Sequence, residues 1–399
     1  MNNTPNSNRK HIAIFGNTNS GKSSLMNKIL GQEMSLVSEV EGTTTDPVQK
    51  AMELIPVGPV LLIDTAGLED KTELGELRLK KTMEVLKKTD VAIFVIDASS
   101  PDFESFNKWK IEALKYNIPF IVAANKAEVA NKEIVETLKD KYSDVICTST
   151  VTDIGIDDLK EALVKILDRE EDEKSLIGDL VPYGGTVVLV VPIDSEAPKG
   201  RLILPQVQVI RDCLDNGIKS YVVRDTELED ALKDLKNVDI VVTDSQAFKN
   251  VSKIVPENIR LTSFSILFAR QKGDLKTFVD GVNKIRTLVP GDNILISESC
   301  THNVSHEDIG RVKIPKLLEK FVGGKLNFNY RVGHDFPDDI EKYDLIIHCG
   351  ACMINRKTVL NRVNLCNEKN ISITNYGVVL AFLTGILDRS IENLIEKEL

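Results

Sequence analysis

The stretch HIAIFGNTNSGKSSLMNKIL, residues 11–30, sets the reading of the whole chain. A short apolar run, His11 to Phe15, ends at Gly16, and Gly16-Asn-Thr-Asn-Ser-Gly21-Lys22-Ser23 leads into a run of good helix formers. Strand, glycine-bounded loop closing on Lys-Ser, and helix together make a phosphate-binding loop. Backbone N–H groups of such a loop point inward at phosphate oxygens, and the helix N-terminus adds partial positive charge. Lys22 is expected to reach the β and γ phosphates and Ser23 to bind Mg²⁺, with Gly16, Asn19, Ser20, Gly21 and Ser24 lining the nucleotide.

Further segments follow in the order a nucleotide hydrolase requires. Asp64-Thr-Ala-Gly67 ends the apolar run PVLLI, which aims Asp64 at the magnesium and lets Gly67 offer its N–H to the γ-phosphate. Asn125-Lys126-Ala-Glu128 ends PFIVAA, and Ser149-Thr150 follows SDVIC, where a base-contacting loop is expected. Four ordered motifs at strand ends identify a GTPase domain. It resembles the Era/TrmE branch of the translation-factor-like GTPases. That resemblance makes Thr44, in Gly42-Thr-Thr44-Thr-Asp46, the switch I magnesium ligand, and Lys22, Thr44, Asp64 and Gly67 the catalytic set. Glu128 stands where the family has an Asp for guanine. Leu68 stands where Ras-like proteins have a water-orienting Gln, so a K⁺ ion held partly by Asn19 is implied beside the phosphates.

Outward from the loop, short apolar runs alternate with amphipathic ones over residues 8–170, which means βαβ units and a doubly wound, mostly parallel sheet. The charge run DREEDEKS, 168–175, reads as a linker or exposed helix end. A second α/β series, 178–263, holds TVVLVVPID, KSYVVRD and VDIVVTD, with no phosphate loop or metal-ligand cluster; packing or dimerisation is its expected role. A third, 264–399, holds NILISES, KLNFNY, DLIIHC and ISITNYG as strands, helices at Ile314–Val322 and about Arg356–Asn367, and an amphipathic tail from Ile391. The fold class is α/β: a P-loop GTPase domain and two smaller α/β domains.

Composition narrows the function. The 399 residues carry 60 acidic and 50 basic side chains, a net charge of −10, which argues against an electrostatic nucleic-acid binder. RVKIPK, 311–316, is the best basic run and reads as a solvated face. The N-terminus lacks an apolar signal core, and the apolar stretch Gly377 to Leu387 is too short for a bilayer, so a cytoplasmic protein without membrane partners is expected.

Six cysteines are too few for a disulfide framework. Cys147, Cys213 and Cys366 stand alone and read as core or surface thiols. Cys300-Thr-His302 and His348-Cys349-Gly-Ala-Cys352 instead follow two strands, at the carboxyl ends where open α/β sheets bind ligands. The set suits zinc as Cys₃His, or an iron–sulfur cluster with a non-cysteine fourth ligand; a redox Cys-x-x-Cys is a third possibility. His334 reads as an exposed loop residue.

ESCTHN, DIGRVKIP, HCGACMINR and ITNYGV, behind a GTPase domain, resemble the HydF family of FeFe-hydrogenase maturation GTPases over essentially the whole chain. The resemblance implies a 4Fe-4S cluster on Cys300, Cys349 and Cys352, with His302 and His348 at family motif positions as possible fourth ligands; Glu298, a further possible fourth ligand, and Glu307 are competing oxygen donors nearby in the sequence. It also implies a homodimer through the middle domain and a transient di-iron precursor as cargo. Apo FeFe-hydrogenase and radical-SAM maturation enzymes are the implied partners. The rival expectation is an RNA- or ribosome-associated GTPase with structural zinc.

Overall fold

The computed structural model describes residues 4–31, 47–68, 73–130, 136–138, 145–169, 174–193, 200, 202–299, 308–392 and 394–395. Thr44, Cys300, His302 and Glu307 lie outside the described residues. The chain divides into two compact units, Met1–Asp172 and Glu173–Leu399.

In the first unit the strands are Lys10–Gly16 (β1), Val48–Leu54 (β2), Gly58–Asp64 (β3), Val91–Asp97 (β4), Phe120–Asn125 (β5) and Val145–Cys147 (β6). They form one sheet ordered β2-β3-β1-β4-β5-β6, parallel except for the β2–β3 pair. Side chains alternate across a strand, so β1 feeds two cores. Ile12 and Ile14 pack with Leu25 and Leu163 on one face, and Ala13 and Phe15 pack with Phe106 and Trp109 on the other. Burial on both faces is why the central strands read as unbroken apolar runs. β2 carries no such run: at the sheet edge it buries only Leu54, and nothing in VQKAMEL announced a strand.

The second unit contains two all-parallel sheets. Thr186–Val190 (β7), Lys219–Val223 (β8), Ile240–Thr243 (β9) and Arg260–Ser263 (β10) lie in the order β10-β9-β7-β8. Asn293–Glu298 (β11), Asn327–Val332 (β12), Leu345–His348 (β13) and Ile373–Asn375 (β14) lie in the order β12-β11-β13-β14. One apolar core serves both: Val188, Val241 and Phe248 belong to the same cluster as Ile294, Ile296 and Ile346. The helix Phe264–Lys272 packs Ile266 and Ala269 into this core and Phe264 and Phe268 into a second. Near the other end of the unit Arg389 donates to the carbonyls of Ser252 (3.2 Å), Val255 (2.9 Å) and Pro256 (2.6 Å).

Three expectations change here. ISITNYG is a strand only to Asn375, whose side chain accepts from the N–H groups of Gly377 and Val378 and starts a helix at Tyr376. The tail expected to turn helical from Ile391 does the reverse, since the helix Leu387–Ile391 ends there. RVKIPK is no solvated face. Arg311 pairs with Glu298, Lys313 Nζ donates to Gln246 Oε1 at 2.6 Å, and Ile314 and Pro315 are buried. No helix among the described residues is long and apolar enough to cross a membrane.

Candidate functional site

Parallel pairing brings the ends of β1, β3, β4 and β5 to one edge of the first sheet, where the expected nucleotide residues assemble. Gly21, which caps the helix Lys22–Ile29, sits at φ 92°, and a Cβ there would lie 2.2 Å from Asn125 Nδ2. Only glycine fits. Gly67 approaches the loop as closely: its Cβ would meet Thr18 Oγ1 at 2.2 Å. Lys22 Nζ donates to the carbonyls of Gly16 (3.1 Å) and Asn17 (2.7 Å), closing over the loop. Burial lowers its pKa, against the raising effect of Asp64.

Ser23 Oγ donates to Asp64 Oδ2 at 2.5 Å, and among the described residues the buried Asp64 Oδ1 has no hydrogen-bond partner. Burial raises the Asp64 pKa, countered by the Ser23 hydroxyl and by the Lys22 and Lys50 charges. A hydroxyl and an under-coordinated carboxylate side by side are hard oxygen donors, the set that Mg²⁺ takes beside a triphosphate. These residues fit the ion. Leu68 turns away to pack against the Phe15–Trp109 core, so it presents no polar group to a water.

On the base side Asn125 is fully buried, with Nδ2 donating to Ser20 O at 3.0 Å and Oδ1 accepting from Thr148 Oγ1 at 3.3 Å. Lys126 sits at φ 64° with its ammonium 2.5 Å from Asp97 Oδ2. Burial alone would raise the Asp97 pKa, but Lys126 and the Ser99 hydroxyl and amide bring it below the ordinary value. Glu128 is exposed on the turn Ala127–Val129. Ser149 is buried and its Oγ accepts from the N–H groups of Val151 (3.3 Å) and Thr152 (3.0 Å), which shapes the loop holding Thr150.

Cys349 and Cys352 sit in the second unit, where β11 lies between β12 and β13 and the chain changes direction across the sheet. Open parallel sheets bind ligands at that point, beyond the strand carboxyl ends. Cys349 Sγ accepts from the N–H groups of Ser299 (3.0 Å) and Ala351 (3.4 Å), and its S–H faces Ser299 Oγ at 3.1 Å. Ala351 at φ 57° turns the chain so that Cys352 joins Cys349 on the wall of a cavity of about 190 Å³. Buried Lys272 holds the turn, donating to Ala351 O (3.2 Å) and Ile354 O (2.9 Å). Burial and the neighbouring Cys349 push the Cys352 thiol up to about 11, against Lys272 and Ser299, which lower it. Two sulfurs opening on one cavity, one of them receiving N–H bonds, fit a metal–thiolate centre. Cys300 follows Ser299 directly in sequence. Among the described residues no three His, Cys, Asp or Glu side chains gather as a metal site.

His348 and Glu298 are otherwise engaged. The His348 ring is buried, with Nδ1 2.9 Å from Cys349 O and Nε2 2.8 Å from Arg362 Nη1. Burial and the Arg362 charge push its pKa down to about 3, so the ring is neutral, donating through Nδ1 and accepting through Nε2. As a ligand it would first have to give up one of these bonds. Glu298 Oε2 accepts from Arg311 Nε (3.1 Å) and Nη2 (2.9 Å). The residues missed by sequence reasoning are Thr18, Asp97, Lys272, Ser299 and Tyr376. Two had a signal: Asp97 ends the run VAIFVID, and Ser299 adjoins Cys300.

Three segments of the chain match families of known proteins. Residues 11–126 match a family described as a 50S ribosome-binding GTPase, 176–273 the hydrogen maturase F dimerization domain, and 276–393 the hydrogen maturase F tetramerization domain. GTPase Der of Wolinella succinogenes is 35% identical over 171 residues, 40% of this chain and 36% of that protein. The tRNA modification GTPase MnmE of Baumannia cicadellinicola is 33% identical over 161 residues, 39% of this chain and 35% of that protein. The chain thus spans little more than a third of the length of these relatives. Among solved structures, the G domain of the T. maritima FeoB iron transporter matches at 25% identity and a TM-score of 0.32, over 40% of this chain and 98% of that one. Era in complex with MgGDPNP and a 16S ribosomal RNA segment matches at 18% and 0.35, over 54% and 91%. The two hydrogen maturase F domains cover more than half of the chain behind its GTPase domain, and the protein belongs to the HydF family.

Proposed function

We propose that the chain is a GTP-hydrolysing scaffold of FeFe-hydrogenase maturation, which binds a 4Fe-4S cluster and delivers a di-iron precursor to apo-hydrogenase. The observation that supports it best is the meeting of Cys349, Cys352 and Ser299, the residue before Cys300, on one cavity of a HydF-family chain. Cys300, Cys349 and Cys352 would hold the cluster. When bound, a cluster on three thiolates supplies one iron open to exchange. His302, His348 and Glu298 are candidates for that position, the last two after leaving the partners described above.

In the GTPase domain Lys22, Ser23, Asp64 and Thr44 would hold the phosphates and Mg²⁺, and Lys22 would neutralise charge developing on the γ-phosphate. Gly67 would donate its N–H there, and Asn19 would help to hold K⁺. Asn125, Lys126, Glu128, Ser149 and Thr150 would surround the guanine. Hydrolysis acts in this reading as a switch, because no motif joins the phosphate loop to the thiols. Assembly through the second unit, cytoplasmic location and radical-SAM enzymes as partners belong to the same reading. The test is anaerobic reconstitution of the full chain with iron and sulfide, metal analysis, and activation of apo-hydrogenase. Zinc in place of iron, with no activation, would favour the RNA-associated alternative.

A further inference from the structure

The phosphate loop holds most of its own polar side chains. Asn17 Nδ2 donates to Asp102 Oδ2 at 2.8 Å, Ser20 Oγ donates to Asn17 O at 2.9 Å, and Lys22 and Ser23 have the partners described above. Thr18 and Asn19, at the crest, are exposed instead. The chain just before Thr18 is firmly anchored. Asp102 also accepts from the N–H groups of Glu104 (2.9 Å) and Ser105 (3.2 Å), so its bond to Asn17 ties the loop to the start of the helix Phe103–Lys115.

Two close approaches give the loop a direction. At one end Gly21 lies against Asn125, on the side where the base is expected. At the other, Gly67 presses on Thr18: a Cβ on Gly67 would lie 2.2 Å from Thr18 Oγ1, 2.7 Å from its N and 3.0 Å from its Cα. A nucleotide laid along the loop with its base toward Asn125 therefore brings its last phosphate to the Thr18 end. The turn after β3 offers that phosphate few side chains. Thr65 Oγ1 donates to Ile14 O at 2.7 Å, Leu68 packs into the core, and Asp64 and Ser23 are the magnesium pair. Thr18 Oγ1 is the hydroxyl left where loop and turn meet.

We propose that Thr18 Oγ1 donates a hydrogen bond to an oxygen of the γ-phosphate of GTP. The inference deepens the nucleotide-site reading above and rests on it. A hydroxyl has one proton to donate, and a charged phosphate oxygen is a stronger acceptor than a neutral one. Charge in the transition state is spread over the γ-phosphoryl oxygens, so the bond serves turnover as well as binding. It forms with GTP and has no counterpart in GDP. Thr18 thus tells the loop which nucleotide it holds, at the point where Gly67 touches it.

The experiment compares the wild type, Thr18→Val and Thr18→Ser. Turnover of GTP, affinity for a fluorescent GDP and affinity for a non-hydrolysable GTP analogue are read on each. Valine keeps the branched shape and loses the hydroxyl; serine keeps the hydroxyl. Thr18→Val should lose about tenfold in turnover and in affinity for the analogue, as expected for one hydrogen bond to a charged group, with GDP affinity unchanged. Thr18→Ser should recover most of both losses. A merely misshapen loop would weaken GDP and the analogue alike, and that result overturns the proposal. Wild-type turnover by Thr18→Val, or equal impairment of the two variants, overturns it as well. A wild type that binds neither nucleotide overturns the nucleotide-site reading itself, so the wild-type titrations tell the two failures apart.

Discussion

The backbone N–H of Ser299 donates to the Cys349 thiol across 3.0 Å, so the chain leaving β11 is bonded to the first sulfur beyond β13. Replacing that sulfur removes an iron donor and also leaves two N–H groups, of Ser299 and Ala351, without their acceptor. Cys349→Ala and Cys352→Ala should each lower iron and sulfide about tenfold or more after reconstitution, with GTP hydrolysis retained. Normal iron in either variant removes that residue from the ligand set.

Lys22 is the ammonium poised over the phosphate loop, held by two loop carbonyls and short of water. Lys22→Ala should cut GTP turnover on the order of 10²–10³-fold, the usual cost of losing one preorganised donor to a developing anion. Iron content should stay at the wild-type level. A variant that folds, by circular dichroism, yet loses its iron would mean that the two sites are not separate.

Leu68 packs into the core and Asn19 stands at φ 61° in the loop. With no side chain at position 68 to orient water, charge must come from elsewhere. GTPase rates measured in KCl and in NaCl at equal ionic strength should differ severalfold in favour of potassium. Identical rates would dismiss the monovalent ion.

Cys213 is fully buried, and burial together with the nearby Asp212 carboxylate pushes its thiol up to about 11. The unfolded chain ionises it near pH 8.5, before the folded chain does. Its contribution is therefore complete below about pH 8.5 and declines as pH rises toward 11. Cys366, pushed up to about 12, acts in the same direction. In urea melts under reductant, Cys213→Ala should cost ~1 kcal/mol at pH 7, and the gap to wild type should narrow by pH 10. A constant gap from pH 7 to 10 would refute the assignment.

The phosphate loop was legible because its chemistry is carried by consecutive residues, and the central strands because burial on both faces leaves no polar positions. Two edge strands escape such reading: β10 is only Arg-Leu-Thr-Ser, and β2 shows solvent most of its side chains. The cysteine–histidine set was legible as a group but not in its directions. His348 and Cys349 are neighbours at the end of a strand, and successive strand side chains take opposite faces. The ring goes to Arg362 and the sulfur to the cavity. Tyr376 was hidden for another reason: ISITNYG looks like one apolar strand until the Asn375 side chain is seen starting a helix.

The core shared by the two sheets of the second unit limits how the chain can be divided. A fragment ending at residue 273 would bare Val188, Val241 and Phe248, and would lose the Arg389 guanidinium from the carbonyls of residues 252–256. The two hydrogen maturase F segments, separate as sequence families, should therefore melt in one transition and be inherited together. A cut near residue 172 instead falls between the two compact units. Gene fusion or fission in this architecture has one tolerant junction, ahead of the paired sheets.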